Sequence, residues 1–183
     1  MNIFSWNCRG LGNPSKDETV KDLIRMASPN VLLLQETKIE EDNLLSLRKK
    51  NWKKNAVKAM NVWGSSGGLA TLWTEDLFSL ENYFVTQHWI FIELQHTSSK
   101  ISLVIFNLYV LVNTQKKIEC WNSLAEFLVV SNLSNILVDG DLNITLDPKE
   151  KKGGVCERNP MRKMVEHLIS IWDLIEFKQK RGR

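Results

Sequence analysis

The chain has 183 residues, of which 43% are apolar and 25% are charged, and its net charge is +3. This length and balance correspond to one globular domain and exclude a disordered chain. No apolar run approaches the ~18 residues of a membrane span. The start of the chain lacks the basic and apolar regions of a signal peptide. We therefore expect an intracellular protein, in the nucleus or the cytoplasm, that is not secreted and has no membrane partner.

The cysteine spacing is not that of a zinc site or of a disulfide framework. Cys8, Cys120 and Cys156 are odd in number, lie far apart and show no C-x-x-C spacing. A zinc site or a disulfide framework would need paired cysteines at short, regular spacings. We expect free thiols in a reducing compartment.

Strand-like and helical runs alternate in the first part of the chain. Ser15 and Glu18 form an S-x-x-E capping box, which predicts the start of a helix. Apolar residues then recur at i, i+3, i+4 and i+7, as one buried helical face requires. The predicted elements are a strand over Asn2–Asn7, this helix with Val20, Leu23, Ile24 and Ala27 on its buried face, a buried strand over Val31–Gln35, and a short helix over Glu40–Lys50.

The middle of the chain is rich in β-type runs that turn-forming stretches separate. A helix capped by Thr114 follows, and Asn159 with Pro160 is typical of the start of a last helix. The predicted strands are Ala56–Val62, Leu69–Trp73, Phe78–Thr86, Trp89–Gln95, Lys100–Tyr109 and Asn135–Val138, and a polar loop is predicted from Asp139 to Arg158. This order predicts an α/β or α+β fold in which sheets are flanked by helices.

Ionisable and amide residues follow three of the predicted buried strands. Asn7 ends the first strand, Glu36 follows the second, and Asp141 and Asn143 follow the last. The carboxyl ends of strands are where α/β sheets build their sites. Carboxylate and amide oxygens suit Mg²⁺, whereas zinc would require Cys or His. Taken singly, an acid after a strand is more often the start of a solvated loop, and Asp139-Gly140-Asp141 is more often a turn.

Five segments give a more specific indication because they occur together in one order: Ser5–Leu11, Leu34–Thr37, Gly67–Ala70, Asn107–Tyr109 and Gly140–Asn143. They resemble the endonuclease/exonuclease/phosphatase family, and most closely the apurinic-endonuclease-like domain of LINE-type (non-LTR) retrotransposons. The opening W-N-C-R-G-L-G-N is typical of the plant branch of these elements. The resemblance covers residues 1–183 as a single domain and implies a DNase I-like sandwich of two sheets flanked by helices.

The resemblance also implies a mechanism, the Mg²⁺-dependent hydrolysis of DNA phosphodiesters, with Mn²⁺ as the alternative ion. Glu36 would be the principal metal ligand, with Asn7 and Asp141 beside it. Tyr109 would donate a hydrogen bond to the scissile phosphate. Asp141 would orient or deprotonate the attacking water, and Asn143 would bind the phosphate oxygens. The ion and these fixed donors would stabilise the charge that develops on the phosphate.

Other residues offer further contacts. Arg9, next to the first segment, is a candidate for a phosphate contact. The densest basic cluster, Arg48–Lys54, contains Trp52, which either stacks on a base or turns inward at a solvated helix end. Lys149–Lys152 and the tail from Lys178 would add only non-specific attraction. Gly67 and Gly68 either bend a strand near the site or form a plain hairpin turn.

The sequence departs from the family pattern in three places. Leu142 and Asp139 stand where the family has Phe and a small residue. Val110-Leu111 follow Tyr109 in place of a small residue and a proline. The family domain also continues with strands that carry a Ser-Asp-His-type motif, whereas this chain stops at Arg183, and none of His88, His96 and His167 fits that role. We therefore expect the family fold without its last strands. Its activity would be weak or lost, because removal of a general base commonly costs ~10²–10⁴ in rate.

Other functions stay open. The chain could be a catalytically inactive remnant that at most binds nucleic acid or metal. It could also keep the fold and act on a phosphoinositide, a sphingolipid or an RNA tail. A non-enzymatic interaction module is least favoured, because five site segments in register would then be a coincidence.

Overall fold

The computed structural model is a sandwich of two four-stranded β-sheets with helices on both outer sides, which confirms the predicted fold class. The structure describes residues 1–40, 42–46, 52, 54–60, 67–144 and 161–177. The strands are β1 (Ile3–Asn7), β2 (Val31–Gln35), β3 (Asn55–Met60), β4 (Leu69–Thr74), β5 (Phe78–Val85), β6 (Trp89–His96), β7 (Ser102–Tyr109) and β8 (Ile136–Asp141). The helices are α1 (Pro14–Ala27), α2 (Thr114–Val130) and α3 (Arg162–Ile171), and residues 42–46 are also helical.

Each sheet has one parallel pair of strands. The first sheet has the order β1-β2-β4-β3, in which β1 and β2 are parallel, and the second has the order β5-β6-β7-β8, in which β7 and β8 are parallel. Parallel neighbours need a crossover connection, and α1 and α2 provide the two crossovers. The carboxyl ends of the paired strands therefore meet, with Asn7 opposite Gln35 in one sheet and Tyr109 opposite Asp141 in the other.

Both faces of the central strands are buried, because successive side chains of a strand point to opposite faces. In β6, Ile90 and Ile92 face the other sheet, whereas Trp89 and Phe91 face α2 and α3. In β2, Leu33 lies between the sheets, while its neighbours Leu32 and Leu34 pack with α1 on the outer side. This arrangement explains the continuous apolar runs of these strands in the sequence.

Asparagine caps the first two helices one or two residues ahead of the predicted starts. The Oδ1 atom of Asn13 accepts the Ser15 N–H at 3.1 Å, and Pro14 is the first helical residue. Asn113 caps α2 in the same way, with its Oδ1 accepting a first-turn N–H at 3.2 Å. The predicted caps at Ser15 and Thr114 are therefore wrong, because each upstream asparagine already accepts a main-chain N–H of the first turn.

The last strand of the second sheet is longer than predicted. β8 continues to Asp141, so that Asp139 and Asp141 belong to the strand and not to a loop. Gly140 pairs with Leu108 at a φ of 137°, and a Cβ atom there would overlap the Leu108 main chain. Asp and Gly favour turns in isolation, but pairing with β7 extends the chain here.

Some predictions fall on residues that the structure does not describe. They include most of Arg48–Lys54, Lys149–Lys152, the start of the last helix at Asn159 and Pro160, Cys156, and the tail from Lys178. Within the described part of the chain, no helix has the length and apolarity needed to cross a membrane.

Replacement of Gly140 by Ala should destabilise the protein by about 2 kcal/mol or more. The added methyl group would push β7 and β8 apart, and the φ angle at position 140 is strained for any residue other than glycine. Thermal unfolding followed by circular dichroism measures this loss. Gly12→Ala is the matched control, because a Cβ there would only contact Ile39 Cγ2 at 3.8 Å. Equal melting temperatures for the two variants would contradict the close approach at Gly140.

Candidate active site

The side-chain amide of Asn7 joins two carboxylates that belong to different sheets. Its Nδ2 atom donates to Glu36 Oε1 at 2.9 Å and to Asp141 Oδ2 at 2.6 Å. These two bonds use both hydrogens of the amide. Its Oδ1 atom accepts the Arg9 N–H at 3.1 Å, which fixes the orientation of the amide. We call this arrangement of Asn7, Glu36 and Asp141 the Asn7 clamp.

Main-chain contacts on both sides hold Glu36 in the clamp. Its φ is 50°, in the left-handed region that non-glycine residues rarely adopt. The Gly10 N–H donates to the Glu36 carbonyl at 2.7 Å, and the Leu11 N–H donates to the next carbonyl at 2.7 Å. The Lys38 ammonium lies 3.4 Å from Glu36 Oε2, so that each carboxylate oxygen has a partner.

Gly67 and Gly68 support the loop that follows Glu36. Their carbonyls accept the N–H groups of Lys38 and Thr37 at 3.2 and 3.1 Å. Gly68 has a φ of 88°, and a Cβ there would overlap the Thr37 hydroxyl. Of the two sequence alternatives, this geometry favours a role beside the site over a plain hairpin turn.

Asp141 and Asn143 form a turn that is fixed to the neighbouring strand. The Asn143 N–H donates to Asp141 Oδ1 at 3.2 Å, and Asn143 Nδ2 donates to the Val110 carbonyl at 2.7 Å. The Val110 N–H in turn donates to the Asp141 carbonyl at 2.8 Å. The Lys117 ammonium in α2 donates to the Asn143 carbonyl. The sequence analysis does not single out Lys117, because no motif includes it.

Tyr109 lies beside both carboxylates of the clamp. It is 9% exposed, and it stands opposite Asp141 in the register of β7 and β8. Burial raises the pKa of its phenol, and the negative charges of Glu36 and Asp141 raise it further. The phenol therefore keeps its proton at neutral pH and can donate a hydrogen bond.

A layer of buried polar side chains lies between the sheets below the clamp. Gln35 Nε2 donates to Asn107 Oδ1 at 2.7 Å and to Ser5 Oγ at 3.2 Å. Ser5 bonds the carboxylate of Asp139, and burial raises the pKa of that carboxyl group. Asn107 Nδ2 donates to the Ala70 carbonyl at 3.0 Å. This layer connects both sheets where the apolar core gives way to the site.

The basic candidates differ in their surroundings. The side chain of Arg9 is exposed at the rim of the clamp. Trp52 is half-buried and packs on the outer core of the first sheet, which favours the inward alternative. Lys54 pairs with Asp76 at 3.1 Å, and the other residues of that basic cluster lie outside the described residues.

The donor chemistry of the clamp fits a hard cation better than zinc. Among the described residues, no group of three or more His, Cys, Asp or Glu side chains could hold a metal ion. Glu36 and Asp141 supply carboxylate oxygens, and Mg²⁺ binds through one or two carboxylates while it keeps several waters. The adjacent Cys8 is buried, and burial raises the pKa of its thiol to about 12, so it is not a thiolate ligand at neutral pH.

The two helix-flanked sheets thus carry Asn7, Glu36, Tyr109 and Asp141 at or just after the carboxyl ends of their parallel strands. Comparison with protein families matches residues 4–160 to the Endonuclease/Exonuclease/phosphatase family. The chain belongs to this family. A search of curated protein sequences finds no match.

Solved structures share the fold at low sequence identity. A 3' phosphatase, NExo, from Neisseria, bound to a product DNA hairpin, superposes with a TM-score of 0.69 at 16% identity over 93% of this chain and 71% of that one. The human Nocturnin catalytic domain with bound sulfate gives 0.62 at 15% identity over 79% of this chain. A protein of unknown function from Enterococcus faecalis V583 gives 0.68 at 14% identity over 91% of this chain and 72% of that one. The chain spans 65% of the Nocturnin domain.

The environment of Tyr109 predicts an alkaline shift that spectroscopy can measure. The chain has two tyrosines, so Tyr83→Phe leaves the phenolate absorbance to Tyr109 alone. We expect its midpoint above the ordinary value of 10.0. Asp141→Asn should lower that midpoint, because it removes one of the two negative neighbours. Since the folded-state pKa is raised, the stability that Tyr109 contributes is complete below its unfolded pKa and is lost as pH rises through the folded one.

Asp76→Asn is the control for this titration, because Asp76 pairs with Lys54 away from the clamp. Its midpoint should equal that of the Tyr83→Phe parent. An ordinary midpoint in the parent would show that Tyr109 is not buried beside the two carboxylates.

Proposed function

We propose that this protein is a divalent-metal-dependent phosphodiesterase that nicks DNA, an endonuclease of LINE-type retrotransposon ancestry that works in the nucleus or the cytoplasm. The observation that carries the proposal is the Asn7 clamp, which brings Glu36 and Asp141 together from opposite sheets. Family membership supports hydrolysis of a phosphate ester. The DNA hairpin bound to the similar Neisseria phosphatase supports a nucleic-acid substrate.

In this proposal Glu36 and Asp141 hold Mg²⁺ or Mn²⁺. Asn7 fixes their separation, and its own ligation of the ion stays a prediction. When bound, the ion acts as a Lewis acid on a phosphate oxygen. Asp141 keeps free lone pairs after it accepts hydrogen bonds from Asn7 and Asn143, so it can accept a proton from the attacking water. The Tyr109 hydroxyl donates a hydrogen bond to a non-bridging phosphate oxygen.

Two further side chains can contact the phosphate backbone. Asn143 uses one amide hydrogen for the Val110 carbonyl, which leaves the other for a phosphate oxygen. Arg9 has an exposed guanidinium group at the rim of the clamp, where it can pair with a phosphate on either side of the cut. The role of Asn143 follows from the family resemblance and that of Arg9 from its place beside the first segment, and the geometry is compatible with both.

An inactive or slow remnant is the second candidate, and the placement of the histidines favours it. His88 is buried and its ring nitrogens have no hydrogen-bond partner in the described part of the protein. His96 packs edge-on against Phe78 at the other end of β6, and His167 is exposed on α3. None of these side chains hydrogen-bonds the Asn7 clamp in the described part of the protein, so in this proposal Asp141 takes the proton-accepting role.

Nicking of supercoiled plasmid in the presence of Mg²⁺ tests the proposal. Glu36→Gln should reduce the rate by at least ~100-fold, because it removes the principal carboxylate that would hold the metal ion, and the ion is what would stabilise the charge on the phosphate. Glu126→Gln is the matched control, since Glu126 is exposed on α2. Nicking that needs the metal and is lost only in Glu36→Gln would support the enzyme.

The other outcomes separate the alternatives. Absence of nicking, or equal nicking by both variants, would leave the inactive remnant. Faster hydrolysis of a phosphoinositide, a sphingolipid or an RNA tail in a substrate panel would replace DNA as the substrate. The retrotransposon ancestry, which depends on the W-N-C-R-G-L-G-N opening, is tested by whether a reverse transcriptase follows in frame at the locus.

A further inference from the structure

We infer that Lys117 is a positioning residue of the proposed active site, which acts by holding the turn of Asp141 and Asn143. Its Nζ atom donates to the main-chain carbonyl of Asn143 at 2.7 Å, across 26 positions of sequence. Lys117 is half-buried in the first turn of α2. The inference rests on the proposed function, because it assigns Lys117 a part in that reaction.

The turn needs external support. Asn143 has a φ of 45°, in the left-handed region. Asparagine tolerates this region better than most residues, but the conformation still costs some free energy, and neighbouring hydrogen bonds help to fix it. Three groups of Asn143 form hydrogen bonds. Its N–H donates to Asp141 Oδ1, its side-chain Nδ2 donates to the Val110 carbonyl, and its own carbonyl accepts from Lys117. The bond from Lys117 fixes the turn to a helix, whereas the other two fix it to neighbouring main chain and to itself.

The position of this turn determines the orientation of Asp141. The Asn143 N–H bonds Asp141 Oδ1, while Asn7 bonds Asp141 Oδ2. A shift of Asn143 would therefore rotate the Asp141 carboxylate. It would also move the Asn143 amide, which is proposed to bind a phosphate oxygen. Displacements of about 1 Å at reacting groups can reduce rates by ~10²-fold. Lys117 thus acts through Asn143 and Asp141, without a need to touch the substrate.

The neighbouring lysine provides a matched comparison. Lys116 lies in the same helical turn and carries the same charge, but its Nζ pairs with Glu119 at 2.7 Å. Replacement of either lysine by Met removes one positive charge from the same surface and keeps an unbranched side chain. Only the Lys117 variant removes the bond to Asn143, so a difference between the two variants reports that bond and not net charge.

The test uses the full chain with Lys117→Met, Lys117→Arg and Lys116→Met. Hydrogen–deuterium exchange of a peptide that contains residues 141–143 should be faster in Lys117→Met than in the wild type or Lys116→Met. In plasmid nicking, Lys117→Met should lower kcat by roughly 10- to 100-fold with little change in KM. Lys117→Arg should restore much of the rate, because it keeps a donor at that position. Melting temperatures should show that all variants are folded.

The two readouts distinguish the failure of this inference from the failure of the proposed function. If the wild type does not nick DNA, the proposed function fails, and exchange alone decides whether Lys117 holds the turn. Exchange that is equal in Lys117→Met and Lys116→Met would overturn the inference. A raised KM with unchanged kcat would also overturn it, because Lys117 would then bind substrate directly. Equal losses of rate in both Met variants would show a charge effect only.

Discussion

The two N–H groups of the Asn7 amide set the separation between carboxylates that belong to different sheets. Glu36 and Asp141 carry like charges, which repel each other strongly at short range in a partly buried site. Asn7 gives each of them a donor, and the Lys38 ammonium adds a positive charge at Glu36. The geometry of the site therefore depends on the packing of β1 against β8, since a shift between the sheets would separate the carboxylates.

The same type of connection positions the strand ends in both sheets. Each parallel pair is closed by a crossover helix, which brings two strand carboxyl ends to one rim of the sandwich. Below the rim, the bond between Gln35 and Asn107 connects the sheets through polar groups that have their partners inside the protein. A satisfied buried network of this kind specifies one relative position of the sheets, whereas apolar packing alone tolerates small slides. The site thus has a rigid base.

The sequence predicted those parts of the structure that depend on periodicity and on strand ends. Apolar runs located the buried strands, and the polar residues that follow them located Asn7, Glu36 and Asp141. The parts it did not predict depend on tertiary contacts. Asp139 and Gly140 have turn propensity, but pairing with β7 places them in a strand. Lys117 resembles any lysine in the first turn of a helix, and its contact with Asn143 exists only because the crossover brings α2 to the end of β8.

The residues at which the sequence departs from the family pattern lie around the Asn7 clamp but do not belong to it. Val110 follows Tyr109, and both its N–H and its carbonyl are bonded to the turn of Asp141 and Asn143. Leu142 packs on the core beneath α2 and α3, and Asp139 bonds Ser5 in the polar layer. None of these substitutions alters a hydrogen bond of the Asn7 clamp. The clamp itself retains its two carboxylates and its amide. The alternative of weak turnover therefore has to rest on the residues around the clamp and not on the clamp.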